Sequence, residues 1–252
     1  MIDYDIDKLI QVGAQVVERA RAQGADVAEA SISEGNHLSV KVRMGEPELV
    51  EEAGSKSLGL RVMRGNQVAV TYTSDLTEAG LSRFVEDALE LAKLSQPDSF
   101  AGPPDPSLLS RAAQHKDLQL FDPAVDQIDA ARAIDMAKRA EHAALSSDKR
   151  LTNSEGANVS RQSGASALVT SGGFQGGYRA TYASISVHPV ADDEGGKKRS
   201  GYHWSARRFA TELDAPEAVG LEAAKRTIAK LGSRKLDTQE VAVTYTSDLT
   251  EA

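Results

Sequence analysis

Along residues 6–23 the apolar side chains Leu9, Val12, Val16 and Ala20 recur at three- and four-residue intervals, which predicts a helix with one buried face. Asp5 or Asp7 can cap its start, and Gly24 can end it. The period then drops to two. Val27–Ile32, Leu38–Arg43 and Gly59–Arg64 alternate apolar and polar positions, as strands covered on one side do. The turn-forming groups Glu34-Gly35-Asn36 and Arg64-Gly65-Asn66-Gln67 are expected to separate strands, and Val68–Tyr72 to close an antiparallel meander. Asp75 and Glu78 have the spacing of a capping box. They open a second helix over 77–95, with Leu81, Phe84, Val85, Ala88, Leu89 and Ala92 on one face.

Residues 96–123 are rich in Pro, Asp, Ser and Gly and read as a long connecting loop. A third helix is predicted over 126–146. From Leu151 to Ala210 the two-residue alternation returns, most clearly in Ala165–Val169 and Ala183–Val187, with Asp192–Lys198 as a polar tip between strands. Asp214, Pro216 and Glu217 supply a cap, an early proline and a reciprocating carboxylate for a fourth helix over 214–231. Leu221, Ala224, Ile228 and Leu231 form its stripe, and Gly232 ends it. The order helix, strands, helix, helix, strands, helix predicts an α+β fold, with mixed or antiparallel sheets packed against about four helices. Residues 1–95 and 126–240 are expected to form two α+β subdomains joined by a connecting loop at 96–125.

One repeat stands out. Val68–Ala79 and Val241–Ala252 carry the same twelve residues, VAVTYTSDLTEA, while the preceding residues differ. An old structural repeat shows weak likeness over a whole unit, whereas this is identity over a short stretch with sharp edges. The second copy repeats the capping pair as Asp248 and Glu251 with no helix after it. Residues 241–252 are therefore read as a product of truncation or recombination, with strand or coil to about Tyr245 and an unsupported tail from Thr246.

Composition narrows the chemistry. The 252 residues include 29 Lys and Arg against 37 Asp and Glu, a formal charge of −8, and no cysteine. A disulfide scaffold, a zinc finger, an iron–sulfur site and a cysteine nucleophile are excluded. The acidic balance disfavours a nucleic-acid partner. No stretch approaches the roughly 18 consecutive apolar residues of a membrane span, and the start Met1-Ile2-Asp3-Tyr4-Asp5 lacks the pattern of a signal peptide. A cytoplasmic protein is expected.

Motif chemistry is sparse. No two of the five histidines, His37, His115, His142, His188 and His203, stand three to five residues apart, so no HExxH or HExxxH exists and no metal is expected in this chain. There is no GxSxG elbow. The glycine cluster Ser171–Arg179 lacks the order of a phosphate-binding loop and reads first as a bend between strands. The alternative is a ligand-cradling loop, with Gly173, Phe174, Gly177, Tyr178 and Arg179 as candidate substrate-binding residues. Tyr202–Phe209 mixes aromatics with arginines. It reads as a core-facing pair, Tyr202 and Trp204, beside solvated Arg207 and Arg208, rather than as a surface that clamps a partner. The pairs Glu51-Glu52 and Asp192-Asp193 point to opposite faces of a strand and make no acid–base couple. No catalytic residue is assigned.

A resemblance emerges from the ordered set of segments Gly24–Glu29, Val42–Glu46 with Glu51-Glu52, Gly59–Val62, Thr73–Leu76, Asp117–Pro123, Lys149–Gly156, Ser171–Arg179 and Arg234–Thr238. Together they resemble the N-terminal half of the TldD/PmbA family, and Tyr202–Arg207 with Arg234–Thr238 is closer to its PmbA (TldE) branch. The resemblance implies a cytosolic zinc metallopeptidase system in which a TldD-like subunit carries the HExxxH zinc motif. A PmbA-type subunit pairs with it, lacks that motif and helps to enclose peptide or unfolded-protein substrates. The older label for this family is modulator of DNA gyrase. A non-enzymatic module that binds a peptide or a protein such as gyrase through its strand edges is the alternative.

Overall fold

The structure is a computed structural model, and it describes residues 4–110 and 116–244. Four α-helices and seven strands follow in the order α1 (Ile6–Ala22), β1 (Val27–Arg43), β2 (Glu46–Arg64), β3 (Gln67–Thr73), α2 (Glu78–Leu94), α3 (Ala130–Ser147), β4 (Leu151–Thr170), β5 (Gln175–Asp193), β6 (Lys197–Ser200), β7 (His203–Arg207) and α4 (Pro216–Ile228). The strands form one sheet in the order β3-β2-β1-β4-β5-β6, with β7 also paired to β5. Every pairing is antiparallel. The expected α+β fold is present.

Four strands, β1, β2, β4 and β5, are far longer than the alternation suggested. β1 runs straight through Glu34-Gly35-Asn36, which pairs with Lys56-Ser55-Gly54 on one side and Ala165-Gly164-Ser163 on the other. The predicted turn there does not exist, because two neighbours supply backbone partners on both edges, and this outweighs the local turn preference. The chain reverses instead at Met44-Gly45, where both residues take positive φ (52° and 81°). The turn is clamped from outside: the amides of Met44 and Gly45 donate to the two carboxylate oxygens of Glu141 on α3, at 3.0 and 2.7 Å. The second expected turn, between β2 and β3, is present and uses Gly65 at φ 55°.

All four helices lie on one face of the sheet and bury two apolar clusters. The first gathers α1 and α2 over the β3 end, with Val16, Ala20, Ile32, Leu60, Val85 and Ala88 at its centre. The second gathers α3 and α4 over the other end, around Leu38, Val40, Ala137, Val159, Ile185 and Ala223. A polar seam separates them. Arg161, only 6% exposed, donates to the Ile128 carbonyl (2.9 Å), Asn36 and Glu52 (2.9 Å). Beside it the Tyr4 hydroxyl bonds to the Ser163 carbonyl and hydroxyl.

Helix starts differ in detail from the sequence pattern. Asp5 caps α1 as expected, accepting from the Lys8 amide. On α2 the cap is Thr77, not Asp75; Asp75 braces it by accepting from both the Thr77 amide and hydroxyl. On α4 Ala215 occupies the cap position with no side-chain hydrogen bond, and Asp214 is not the cap. Glu217 does not reach back but pairs with Arg139 of α3. The stripe of α4 is also rotated: Val219, Gly220, Ala223, Ala224 and Thr227 are buried, while Leu221 is half exposed. Contact with α3 selects small residues for the inner face, since an alanine Cβ at Gly220 would lie 2.1 Å from the Ala140 carbonyl oxygen.

After α4 the chain from Arg234 to Thr244 has no regular structure and is exposed. The expected change at Tyr245 and the tail from Thr246 lie outside the described residues.

Candidate functional site

The hairpin between β4 and β5 closes when the Thr170 amide donates to the Phe174 carbonyl (2.9 Å) and the Gly173 amide returns to Thr170 (3.1 Å). Gly173 takes φ +96°, a conformation that favours glycine. Ser171 moors the turn to β1, through its amide to the Ala28 carbonyl and its hydroxyl to the Ala28 amide. From Gln175 the chain enters β5. The glycine cluster is thus a bend followed by the first third of a long strand.

Among the described residues that part of β5 has β4 on one side and no strand on the other, because β7 pairs only with Ala183–Val187 and β6 only with Val190–Asp193. Gly177 lies under α1, where a Cβ would meet an Ile6 methyl at 2.6 Å and the Ser166 carbonyl at 2.8 Å. Tyr178, 54% exposed, projects from the face that carries no helix. Arg179 projects from the opposite face, its guanidinium 4.8 Å above the Phe121 ring. The five predicted residues therefore divide into a hairpin tip, Gly173 and Phe174, and a free-edged strand segment, Gly177–Arg179. They do not converge on one point.

The helix-free face is where sequence reasoning misplaced residues. Trp204 pairs with Ser186 and Ser205 with Ile185, so Ser205 turns inward and Trp204 outward. Tyr202 and Trp204 are 53% and 54% exposed, which corrects their assignment to the core. Tyr202 stacks on His188, ring centroids 5.5 Å apart. Tyr182, Leu168 and Tyr72 are exposed as well, among a background of serines and glycines. Alternation alone gives which residues share a face, not which face the helices cover. The aromatic-and-arginine composition of 202–209 was the available signal.

Beyond the end of β7 the chain lines a surface cavity of about 420 Å³ together with Gln119 and Tyr182. A single buried threonine fixes both walls. The Thr181 hydroxyl donates to the Arg208 carbonyl (2.9 Å) and accepts from the Asp122 amide (2.8 Å), and its own amide donates to Leu120 (3.0 Å). The Asp122 carboxylate then receives the Ala210 amide at 2.8 Å.

Acid–base machinery is not assembled by the carboxylate pairs. Asp192 binds Lys198 and Thr152, Asp193 binds Arg199, and Glu52 binds Arg161. Among the described residues no three His, Asp or Glu side chains lie close enough together to hold a metal ion. No helix among the described residues is long and apolar enough to cross a membrane.

Comparison with known proteins gives a consistent outcome. The family model described as PmbA/TldA metallopeptidase domain 1 matches residues 28–92, and that of the PmbA/TldA metallopeptidase central domain matches residues 123–231. Metalloprotease PmbA of Escherichia coli O157:H7 is 34% identical over 242 residues, 96% of this chain and 53% of that protein. The Metalloprotease PmbA homolog of Haemophilus influenzae is also 34% identical, over 96% of this chain and 52% of its own length. The chain thus spans about half the length of the curated relatives it matches. Among solved structures, a candidate modulator of DNA gyrase from Bacteroides thetaiotaomicron superposes with a TM-score of 0.84 at 21% identity, over 91% of this chain and 52% of that one. TldE from Thermococcus kodakarensis gives 0.68 at 15% identity, over 86% and 47%, a likeness of fold. With two domain models of one family matched in sequence order and about a third of residues identical to PmbA along nearly its whole length, the chain belongs to the PmbA/TldD metallopeptidase family.

Proposed function

We propose that this chain is the N-terminal portion of a PmbA/TldE-like subunit, which works with a TldD-like subunit in a zinc metallopeptidase that cleaves peptides or unfolded protein in the cytoplasm. The similarity to metalloprotease PmbA over 96% of the chain carries this reading, taken with the absence of HExxxH from the sequence. Zinc belongs to the partner, and this chain contributes surface to the substrate. Its part is to hold extended peptide: Gly173, Phe174, Gly177, Tyr178 and Arg179 lie along a hairpin tip and a strand segment that, among the described residues, pairs with β4 alone. Residues 1–95 and 126–240 act as two subdomains on one sheet: α1 and α2 cover one apolar cluster and α3 and α4 the other, while β1 and β4 contribute to both.

The free edge of β5 and the helix-free aromatic face also favour the second reading, a peptide- or protein-binding module of the gyrase-modulator type with no part in proteolysis. Reconstitution separates the two. This chain and a TldD-type subunit are assayed with zinc on an unstructured peptide, alone and combined. Cleavage that requires both chains supports the first reading. Peptide binding by this chain, without any effect on cleavage by the TldD-type subunit, supports the second. Cleavage by this chain alone would overturn both.

A further inference from the structure

We propose that the cavity at the end of β7 is a binding site for acidic peptide segments, with a carboxylate held between Arg207 and Arg208. Gln119, Tyr182, Arg207, Arg208, Phe209 and Glu212 line it. Neither arginine forms an ion pair with a carboxylate among the described residues, and Arg207 donates only to the neighbouring Ala206 carbonyl at 2.8 Å. Two guanidinium forks are therefore open to a ligand whose geometry matches theirs, as a carboxylate does. Tyr182 and Phe209 add apolar walls and a phenolic hydroxyl. Glu212 supplies one opposing charge, so the lining keeps a net positive charge on a chain that carries −8 overall. Most of this surface repels an acidic peptide; the arginine pair is a local exception.

Two further features mark the cavity as a prepared site. Its walls are held by the Thr181–Asp122 network, so the arginine backbone is positioned before a ligand arrives. Gln119 also has a left-handed backbone, φ 50°, at a residue with a side chain. Met44, the other such residue among those described, is explained by the Glu141 clamp. Gln119, whose amide donates to the Asp117 carboxylate at 2.9 Å, holds this conformation on the cavity wall, where strain of this kind gathers in binding sites. The cavity lies beside the point where Leu120 meets the outer edge of β5 at Thr181, next to the strand segment assigned above to peptide. In this respect the inference rests on the peptide-holding reading above and names the substrate class.

The test is fluorescence anisotropy of the full chain with fluorescein-labelled hexaglutamate and hexaglutamine peptides. Hexaglutamate is expected to bind at least about tenfold more tightly, a preference that salt weakens. R207A/R208A should lose about tenfold for hexaglutamate only, with an unchanged circular dichroism spectrum. K138A/K149A removes the same charge from exposed positions elsewhere and should leave binding unchanged, whereas Glu212→Gln should tighten it. Equal binding of the two peptides, equal loss in both double variants, or tighter binding of a single-stranded oligonucleotide would overturn the proposal. The two-subunit cleavage assay keeps the readings apart. If cleavage needs both chains but R207A/R208A keeps the wild-type preference for hexaglutamate, this site fails alone; if cleavage fails while hexaglutamate still binds through the arginines, the functional reading fails alone.

Discussion

Glu141 is 1% exposed in the middle of α3, among alanines, and its two carboxylate oxygens accept the amides of Met44 and Gly45. A buried carboxylate is costly unless hydrogen-bonded, so the helix and the β1–β2 turn hold each other in place. Glu141→Ala is expected to lower stability by about 2 kcal/mol in urea denaturation, the range for hydrogen bonds to a charged group. Glu141→Gln, which retains one acceptor, should cost less. Asp193 plays a similar part at the β5–β6 hairpin. The Arg199 guanidinium, then the Gly232 and Glu194 amides, hold its carboxyl down to about 2 from an ordinary 3.8. A depressed carboxyl stabilises the fold above its unfolded value and loses that contribution as the pH falls from about 4 through about 2. Wild type and Asp193→Asn should therefore differ most in stability above pH 4 and converge near pH 2, which denaturation across that range would check. Neither role is legible in the sequence, where Glu141 is one polar residue in an alanine-rich helix and Asp193 one of a surface pair.

At the level of elements, small residues control how α3 and α4 cross. Gly220 faces the Ala140 carbonyl with no room for a methyl group. Helix propensity alone would make Gly220→Ala stabilising by up to about 1 kcal/mol. Overpacking against backbone costs about 1–3 kcal/mol, so the variant should be less stable, measured as a lower denaturation midpoint. An increase would show that the helices separate without penalty. The existence, type and approximate limits of all four helices followed from apolar periodicity, because a 3.6-residue repeat with a buried stripe is a local property. Which residue capped them did not. Thr77 rather than Asp75, and Ala215 rather than Asp214, take the extended backbone that precedes each helix, at ψ 154° and 138°.

Across the whole molecule, one sheet carries two apolar clusters, and β1 and β4 contribute residues to both. Leu60 lies in the first and Leu38 in the second, each almost wholly buried. Leu60→Ala and Leu38→Ala are each expected to cost about 2–5 kcal/mol and to shift the same single unfolding transition, because neither half can unfold without disrupting the shared strands. Two separate transitions in calorimetry would show independent units. Arg161 stands at the junction, where it ties β1 through Asn36, β2 through Glu52 and the segment before α3 through Ile128.

The periodicity of apolar side chains determined the helices, the strand-forming segments and the α+β class, with mixed or antiparallel sheets left open, and the order of short segments determined the family resemblance, since each is a property of local sequence. Tertiary pairing decided that β1 passes through Glu34-Gly35-Asn36 without turning, because β2 and β4 bond its backbone on both edges. The sheet's one-sided covering decided that Tyr182 and Trp204 face solvent while Ser205 is buried. A two-residue repeat fixes which side chains share a face; only the docking of helices selects the face that is covered. The arginine cavity joins residues 119, 182 and 207–209, and no spacing along the chain could have brought them together before β5 and β7 were paired.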